Sequence, residues 1–205
     1  MLKESYLFLA FGFLRRPELP AVHFPELFGN PNPVEIEIGC GKGKYLLTRA
    51  METPAINFLG LDRAGKWMMI GKKKSDKRNL ANLIFLKAEV REFLERIAAG
   101  SIRGFHIYFP DPWPKRRHRK RRLVDAGFLA GLEKKLAPSG WIEMATDDPD
   151  YFEQMKSAAR ATAPLWGTLK ESCNQRIKDP HIKTNYELKY ETAGRPLHYL
   201  ELIKP

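Results

Sequence analysis

The chain has 205 residues, 43% of them hydrophobic and 29% charged, and 35 Lys and Arg against 24 Asp and Glu give a formal net charge of +11. That length and composition exclude a disordered chain, predict a single soluble globular domain, and make a polyanion the expected partner. Two cysteines exclude a disulfide scaffold, the five histidines have no metal-ligand neighbours, and no apolar run reaches transmembrane length, so the expectation is a cytoplasmic protein without metal, membrane or obligate protein partner.

The chain opens on MLKESYLFLAFGFLRRP, an apolar stretch with a basic start. Arg15-Arg16-Pro17 follows it at once and no small-residue cleavage site appears, so it reads as a packed segment rather than a leader. Residues 1–33 are predicted to form an N-terminal segment lying on a domain that spans 34–205, with a turn cluster at Phe28-Gly29-Asn30-Pro31-Asn32-Pro33. From there strands and helices alternate. Strands are predicted at Val34 to Ile38, Ile56 to Asp62, Leu83 to Ala88, Phe105 to Phe109 and Trp141 to Ala145. Helices are predicted at about Lys44 to Met51, Ala64 to Asn79, Val90 to Ala98, Leu123 to Leu136 and Pro149 to Ala161. Such alternation implies parallel βαβ units and a sheet covered on both faces, an α/β fold. Tyr186 to Glu191 and Leu197 to Ile203 read as two further strands joined through Gly194, which predicts an antiparallel end.

The first strand runs into Glu37-Ile38-Gly39-Cys40-Gly41-Lys42-Gly43. Lys44 stands where a dinucleotide fingerprint needs glycine, and no GK[ST] follows for a phosphate loop. What remains is E-x-G-x-G-x-G, which resembles the first motif of S-adenosylmethionine-dependent methyltransferases. The residues suit that donor. Its methionine part carries an ammonium and a sulfonium, which Glu37 would attract where a pyrophosphate would be repelled. Asp62 ends the second strand, the usual place for an acid that accepts from ribose hydroxyls. Glu89 follows the third strand, within reach of an adenine edge.

After the fourth strand comes Phe109-Pro110-Asp111-Pro112-Trp113-Pro114-Lys115, and Lys115 begins a block with seven positive charges in eight residues, through Arg122. The prolines stiffen a loop that would hold a carboxylate and an aromatic at a reacting centre. Trp113 is either a base-stacking surface or a cover for the sheet edge.

Four ordered motifs, FGN..P.EIEIGCGKG (Phe28 to Gly43), FPDPWPK with its basic run and RRL (Phe109 to Leu123), ATD (Ala145 to Asp147) and TNYE with a glycine turn (Thr184 to Gly194), closely resemble those of the bacterial tRNA (guanine-N7)-methyltransferases. The resemblance spans residues 26 to 203. It implies a Rossmann-like class I methyltransferase fold, a mostly parallel seven-stranded sheet with an antiparallel C-terminal hairpin and helices on both faces. It implies methyl transfer from S-adenosylmethionine to N7 of a guanine in tRNA, at position 46 of the variable loop. Carried over by position, it implies cofactor contacts at Glu37, Gly39, Gly41, Asp62, Glu89 and Asp111, with Asp111 also catalytic. Substrate contacts are implied at Lys115, Asp147, Thr184, Asn185, Tyr186 and Glu187. The basic block suggests backbone contacts to tRNA at Arg116, Arg117, Arg119, Lys120 and Arg121. The family usually has Glu at position 62 and Asp at position 89, so the two acids are exchanged here. The rival readings are a methyltransferase for another RNA or DNA base and a non-catalytic basic RNA-binding protein on the same fold. The Asp-Pro-Trp-Pro loop argues against the first, and intact Glu37, Gly39, Gly41, Asp62 and Asp111 against the second.

Overall fold

The structure, a computed structural model, describes residues 21–205. The apolar N-terminal stretch, and with it most of the expected N-terminal segment, lies outside the described residues. Where the description begins, Val22 forms a parallel bridge with Ile97, and a short helix α1 (Phe24–Phe28) buries Phe24, Leu27 and Phe28 in the core.

Seven strands form one sheet: β1 (Val34–Ile38), β2 (Asn57–Asp62), β3 (Leu83–Lys87), β4 (Ile102–Tyr108), β5 (Leu136–Thr146), β6 (Thr168–Cys173) and β7 (His198–Ile203). Their order is β3-β2-β1-β4-β5-β7-β6. The first five are mutually parallel, β7 runs antiparallel to β5, and β6 runs antiparallel to β7. The connections are α2 (Lys44–Glu52), α3 (Gly65–Lys77), α4 (Val90–Leu94), α5 (Ala126–Lys135), α6 (Pro149–Ala161) and α7 (Asn185–Thr192). The strand order reverses between β1 and β4, the place where open α/β sheets bind ligands beyond their carboxyl ends.

Three expectations are corrected. Tyr186 to Glu191 is helical, part of α7, and the antiparallel partner of β7 is Thr168–Cys173 instead. Its start is a capping box: the Thr184 hydroxyl accepts from Glu187 N at 3.1 Å, and the Glu187 carboxylate accepts from Thr184 N at 2.6 Å. The helix expected from Leu123 starts at Ala126, where Asp125 accepts from Phe128 N at 2.7 Å, and the basic block ahead of it is a separate 3₁₀ turn, Arg116–Arg121. The fifth strand, expected from Trp141, begins at Leu136, and Pro138-Ser139-Gly140 bulges within it, since Ile102 pairs with Leu136 while Gly104 pairs with Trp141.

The two faces of the sheet differ in chemistry. One packs Ile36, Leu59, Leu61, Phe105, Ile107, Ile142, Met144, Leu200 and Leu202 against apolar side chains of α4, α5 and α6. The other carries Glu35, Glu37, His106, Tyr108, Glu143 and Glu201, all buried. On this face α2 supplies Arg49, whose guanidinium lies 3.2 Å from Glu35 and 3.1 Å from Asp179. His106 bridges Glu35 (3.1 Å) and the Tyr108 hydroxyl (2.7 Å), and Tyr108 donates to Glu143 at 2.5 Å. Burial alone would raise the Glu35 carboxyl, but His106 and Arg49 hold it down at about 2. Glu35, Glu143 and Glu201 are thus each matched by a cation or donor from a covering element. Among the described residues no helix is long and apolar enough to cross a membrane.

Candidate active site

Two loops flank the point of reversal. The loop after β1 is built on left-handed backbone at Gly39, Gly41 and Gly43, with φ of 80°, 51° and 64°, conformations that glycine takes without a Cβ penalty. Gly43 is doubly constrained, because a Cβ there would lie 2.4 Å from the Phe85 ring. Asp62, at the end of β2, fastens this loop. It accepts from Gly41 N at 2.8 Å through one oxygen and from Ala64 N at 2.7 Å through the other. Carboxylate oxygens keep further lone pairs, so both can still accept. Glu89 accepts from Glu92 N at 3.1 Å and thereby caps α4.

Glu37 sits at the foot of the glycine loop, 4% exposed, and its Oε2 is buried with no hydrogen-bond partner among the described residues. Burial pushes its carboxyl up to about 8, with Asp62 and Glu187 adding to the rise and Arg176 opposing it. A buried acid with an open lone pair, beside further carboxylates, is a place prepared for a cation.

The second loop follows β4. Phe109 N extends the ladder to Ala145 O at 2.8 Å, yet Phe109 has φ of 53°, and Trp113 has φ of 43°. Left-handed backbone at bulky residues is strained and persists only where surrounding structure fixes it. Here Arg122 does so: it is buried, and it donates to Pro112 O at 2.7 Å, to Gln154 at 3.0 Å and to Asp150 at 2.7 Å. The last arginine of the block therefore braces the loop. Trp113 lies partly buried with the Arg121 guanidinium 5.0 Å from its ring centre and His118 at its edge. Asp111 is exposed and makes no hydrogen bond or ion pair among the described residues. Lys115, Arg116, Arg117, Arg119, Lys120 and Arg121 are exposed, and Arg119 lies 3.1 Å from Asp150.

Asp147 follows β5 and pairs with Arg195 at 2.8 Å. Of the four residues from Thr184 to Glu187, only Asn185 and Tyr186 face solvent. Thr184 and Glu187 turn inward as the capping pair. Glu187 also receives both prongs of the Arg176 fork and the Tyr199 hydroxyl at 2.7 Å. Despite its burial, Arg176 and these donors hold its carboxyl below the usual range. The geometry gives Glu187 the work of fixing the segment. Sequence reasoning missed Arg176. It lies over the Tyr108 ring at 3.9 Å and 3.9 Å from Glu143, so it ties α7 to the polar face of the sheet. The available signal was the glutamates alternating with apolar residues in β1, β5 and β7, which demand internal cations once buried.

Comparison with known proteins gives a consistent picture. A family model described as "Putative methyltransferase" matches residues 31–200. The chain is 33% identical over 187 residues to a tRNA (guanine-N(7)-)-methyltransferase of Rubrobacter xylanophilus, covering 91% of this chain and 83% of that protein. It is 31% identical over 189 residues to the protein of that name from Geobacillus kaustophilus, covering 92% and 87%. Among solved structures, the 16S rRNA methyltransferase KamB superposes with a TM-score of 0.62 at 18% identity, over 93% of this chain and 97% of that one. That likeness shows the shared fold.

Proposed function

We propose that this chain, which belongs to the tRNA (guanine-N7)-methyltransferase family, transfers a methyl group from S-adenosylmethionine to N7 of a guanine in tRNA, at position 46 of the variable loop. The observation that carries the reading is Glu37: a buried carboxylate with an unpartnered oxygen under a glycine loop. It fits a donor whose methionine part is cationic and would repel a pyrophosphate. Glu37 would hold the ammonium, Asp62 the ribose hydroxyls and Glu89 the adenine edge, while Gly39 and Gly41 leave room for close approach. When bound, the donor supplies a methyl group activated by a sulfonium.

The chain's own work is positioning and charge. Guanine N7 carries an in-plane lone pair that needs no deprotonation, so no general base is required. Holding the base in line is the larger contribution. Positive charge grows on the purine as N7 is alkylated, and a carboxylate beside it stabilises that charge. Asp147 is partly neutralised by Arg195. Asp111, which has no partner among the described residues and is carried on a strained, proline-fixed loop, is the stronger candidate. Lys115, Asn185 and Tyr186 face solvent and are available to RNA, and the Tyr186 ring lies 6.2 Å from that of Phe109, which opens the loop ending at Lys115.

The test is to incubate the protein with methyl-labelled donor and unmodified tRNA and to map the modified nucleoside. Label on N7 of the variable-loop guanine is expected, and Asp111→Ala, folded by circular dichroism, transfers none. Label on another atom or base overturns the assignment, and wild-type turnover by the Asp111 variant removes that residue from the mechanism.

A further inference from the structure

Helix α3 lies against β2 and β3 and beside α2, and it begins at the same edge of the sheet as the glycine loop. From Lys66 to Arg78 it carries six cations and one carboxylate. That carboxylate, Asp76, is taken by Lys72 at 2.7 Å. Lys66, Lys73, Lys74 and Lys77 have no ion-pair partner among the described residues. An ordinary solvated helix face interleaves its charges so that neighbours a turn apart attract. This one concentrates repulsion.

The arrangement is directional. At helical spacing Lys66, Lys73 and Lys77 fall within about 40° of one another, opposite the buried Met68, Gly71 and Ser75. The helix is about 20 Å long. At its inner end Trp67 is 45% exposed, with Lys42 of the glycine loop 4.8 Å and Lys66 5.6 Å from its ring centre. The helix is also pressed hard onto that loop. A Cβ on Gly71 would lie 2.9 Å from the Lys42 carbonyl oxygen and 2.8 Å from the Phe85 ring. Whatever the helix holds is therefore held at a fixed position relative to the glycine loop. The basic turn Arg116–Arg121 follows β4, on the other side of the strand reversal. The crevice thus has a cationic surface on each flank.

We propose that the solvent face of α3, from Trp67 through Lys66, Lys73 and Lys77, is a second RNA-binding surface that grips the sugar-phosphate backbone of the same tRNA whose guanine enters the crevice. This rests on the reading of the site given above. Unpaired lysines sharing one helix face suit phosphates, which fix register without reading sequence. An aromatic face at the inner end suits an unstacked base.

The test uses the full chain and the variant Lys66→Gln/Lys73→Gln/Lys77→Gln, whose replacements all favour helix. Binding of unmodified tRNA is followed across a salt series. The variant is expected to bind at least about tenfold more weakly at low salt, and its log–log salt slope falls by about three. KM for tRNA rises with kcat unchanged, and affinity for S-adenosylmethionine is unchanged. An unchanged slope and KM, in a preparation that methylates tRNA normally, overturns the proposal. A loss of affinity for polyglutamate with unaltered tRNA binding also overturns it and hands the surface to an acidic protein. A wild-type chain that binds tRNA through this slope but does not methylate it sinks the reading of the site while leaving this surface standing.

Discussion

Replacing Glu37 by glutamine separates what the residue costs the fold from what it gives the site. In the free protein burial lifts its carboxyl from 4.5 to about 8, so the folded state favours the protonated acid. The associated stability is complete below pH 4.5 and is lost as pH rises toward about 8. At 1.36 kcal/mol per unit the loss has a ceiling of about 5 kcal/mol. Relaxation around a buried charge reduces such penalties in real proteins, to roughly 2–3 kcal/mol here. Glutamine keeps the shape and never ionises. Urea unfolding without donor, from about pH 4 to about pH 9, should show variant and wild type close together at the acid end. The variant should be more stable at the alkaline end. Calorimetry should show S-adenosylmethionine bound at least about tenfold more weakly, since a charge-assisted contact is lost. A stability difference that does not vary with pH, or a variant less stable at the alkaline end, refutes the burial argument.

Arg176→Met leaves Glu187 and Glu143 facing each other inside the protein and should cost about 3–5 kcal/mol in urea unfolding. Combined with Glu187→Gln, the double variant should lose less than the two singles together by about 1–3 kcal/mol, and additive losses would show the pair is not coupled. Neutralising Arg116, Arg117, Lys120 and Arg121 together should leave stability within roughly 0.5 kcal/mol per site and lower the tRNA salt slope by about four. Arg122→Gln should instead destabilise by about 2–4 kcal/mol, because Arg122 is buried against Pro112, Asp150 and Gln154. An equal effect on the slope from Arg122 would contradict its placement.

The strand and helix order was legible because apolar runs and turn residues alternate cleanly from Val34 to Ala161, and the glycine loop and strand-end acids announced the crevice. The C-terminal part was harder for particular reasons. In Asn185–Thr192 aromatic and apolar residues alternate, which imitates a strand, while Thr184 and Glu187, three apart, carried the opposite signal of a helix start. The strand Thr168–Cys173 is an almost wholly exposed edge with no apolar period to detect. The buried acids of β1, β5 and β7 look like a solvent face because alternation normally means one. Only the tertiary placement of α2 and the irregular stretch after Cys173 covers them, and no local pattern encodes that. The division of the basic block was hidden for the same reason: nothing adjacent in sequence distinguishes Arg122, which is braced by α6, from the arginines that point outward.

The polar face has a consequence for how the molecule can open. The stretch from Asn174 to Leu197 is fastened to it largely by groups that water can replace: Glu143 accepts from Ile177 and Lys178, Glu201 pairs with Lys178, and Asp179 meets Arg49 and Tyr45. Its apolar pegs are Ile182 and Leu197, with Ile177 and Tyr190 packed against the same cluster. Lifting a cover of this kind wets carboxylates and exposes less hydrocarbon than prying a helix from the opposite face would. Asn185 and Tyr186 ride on that cover. On the function proposed above, the residues offered to tRNA would ride on a part of the molecule that parts from the sheet by exchanging polar contacts for water.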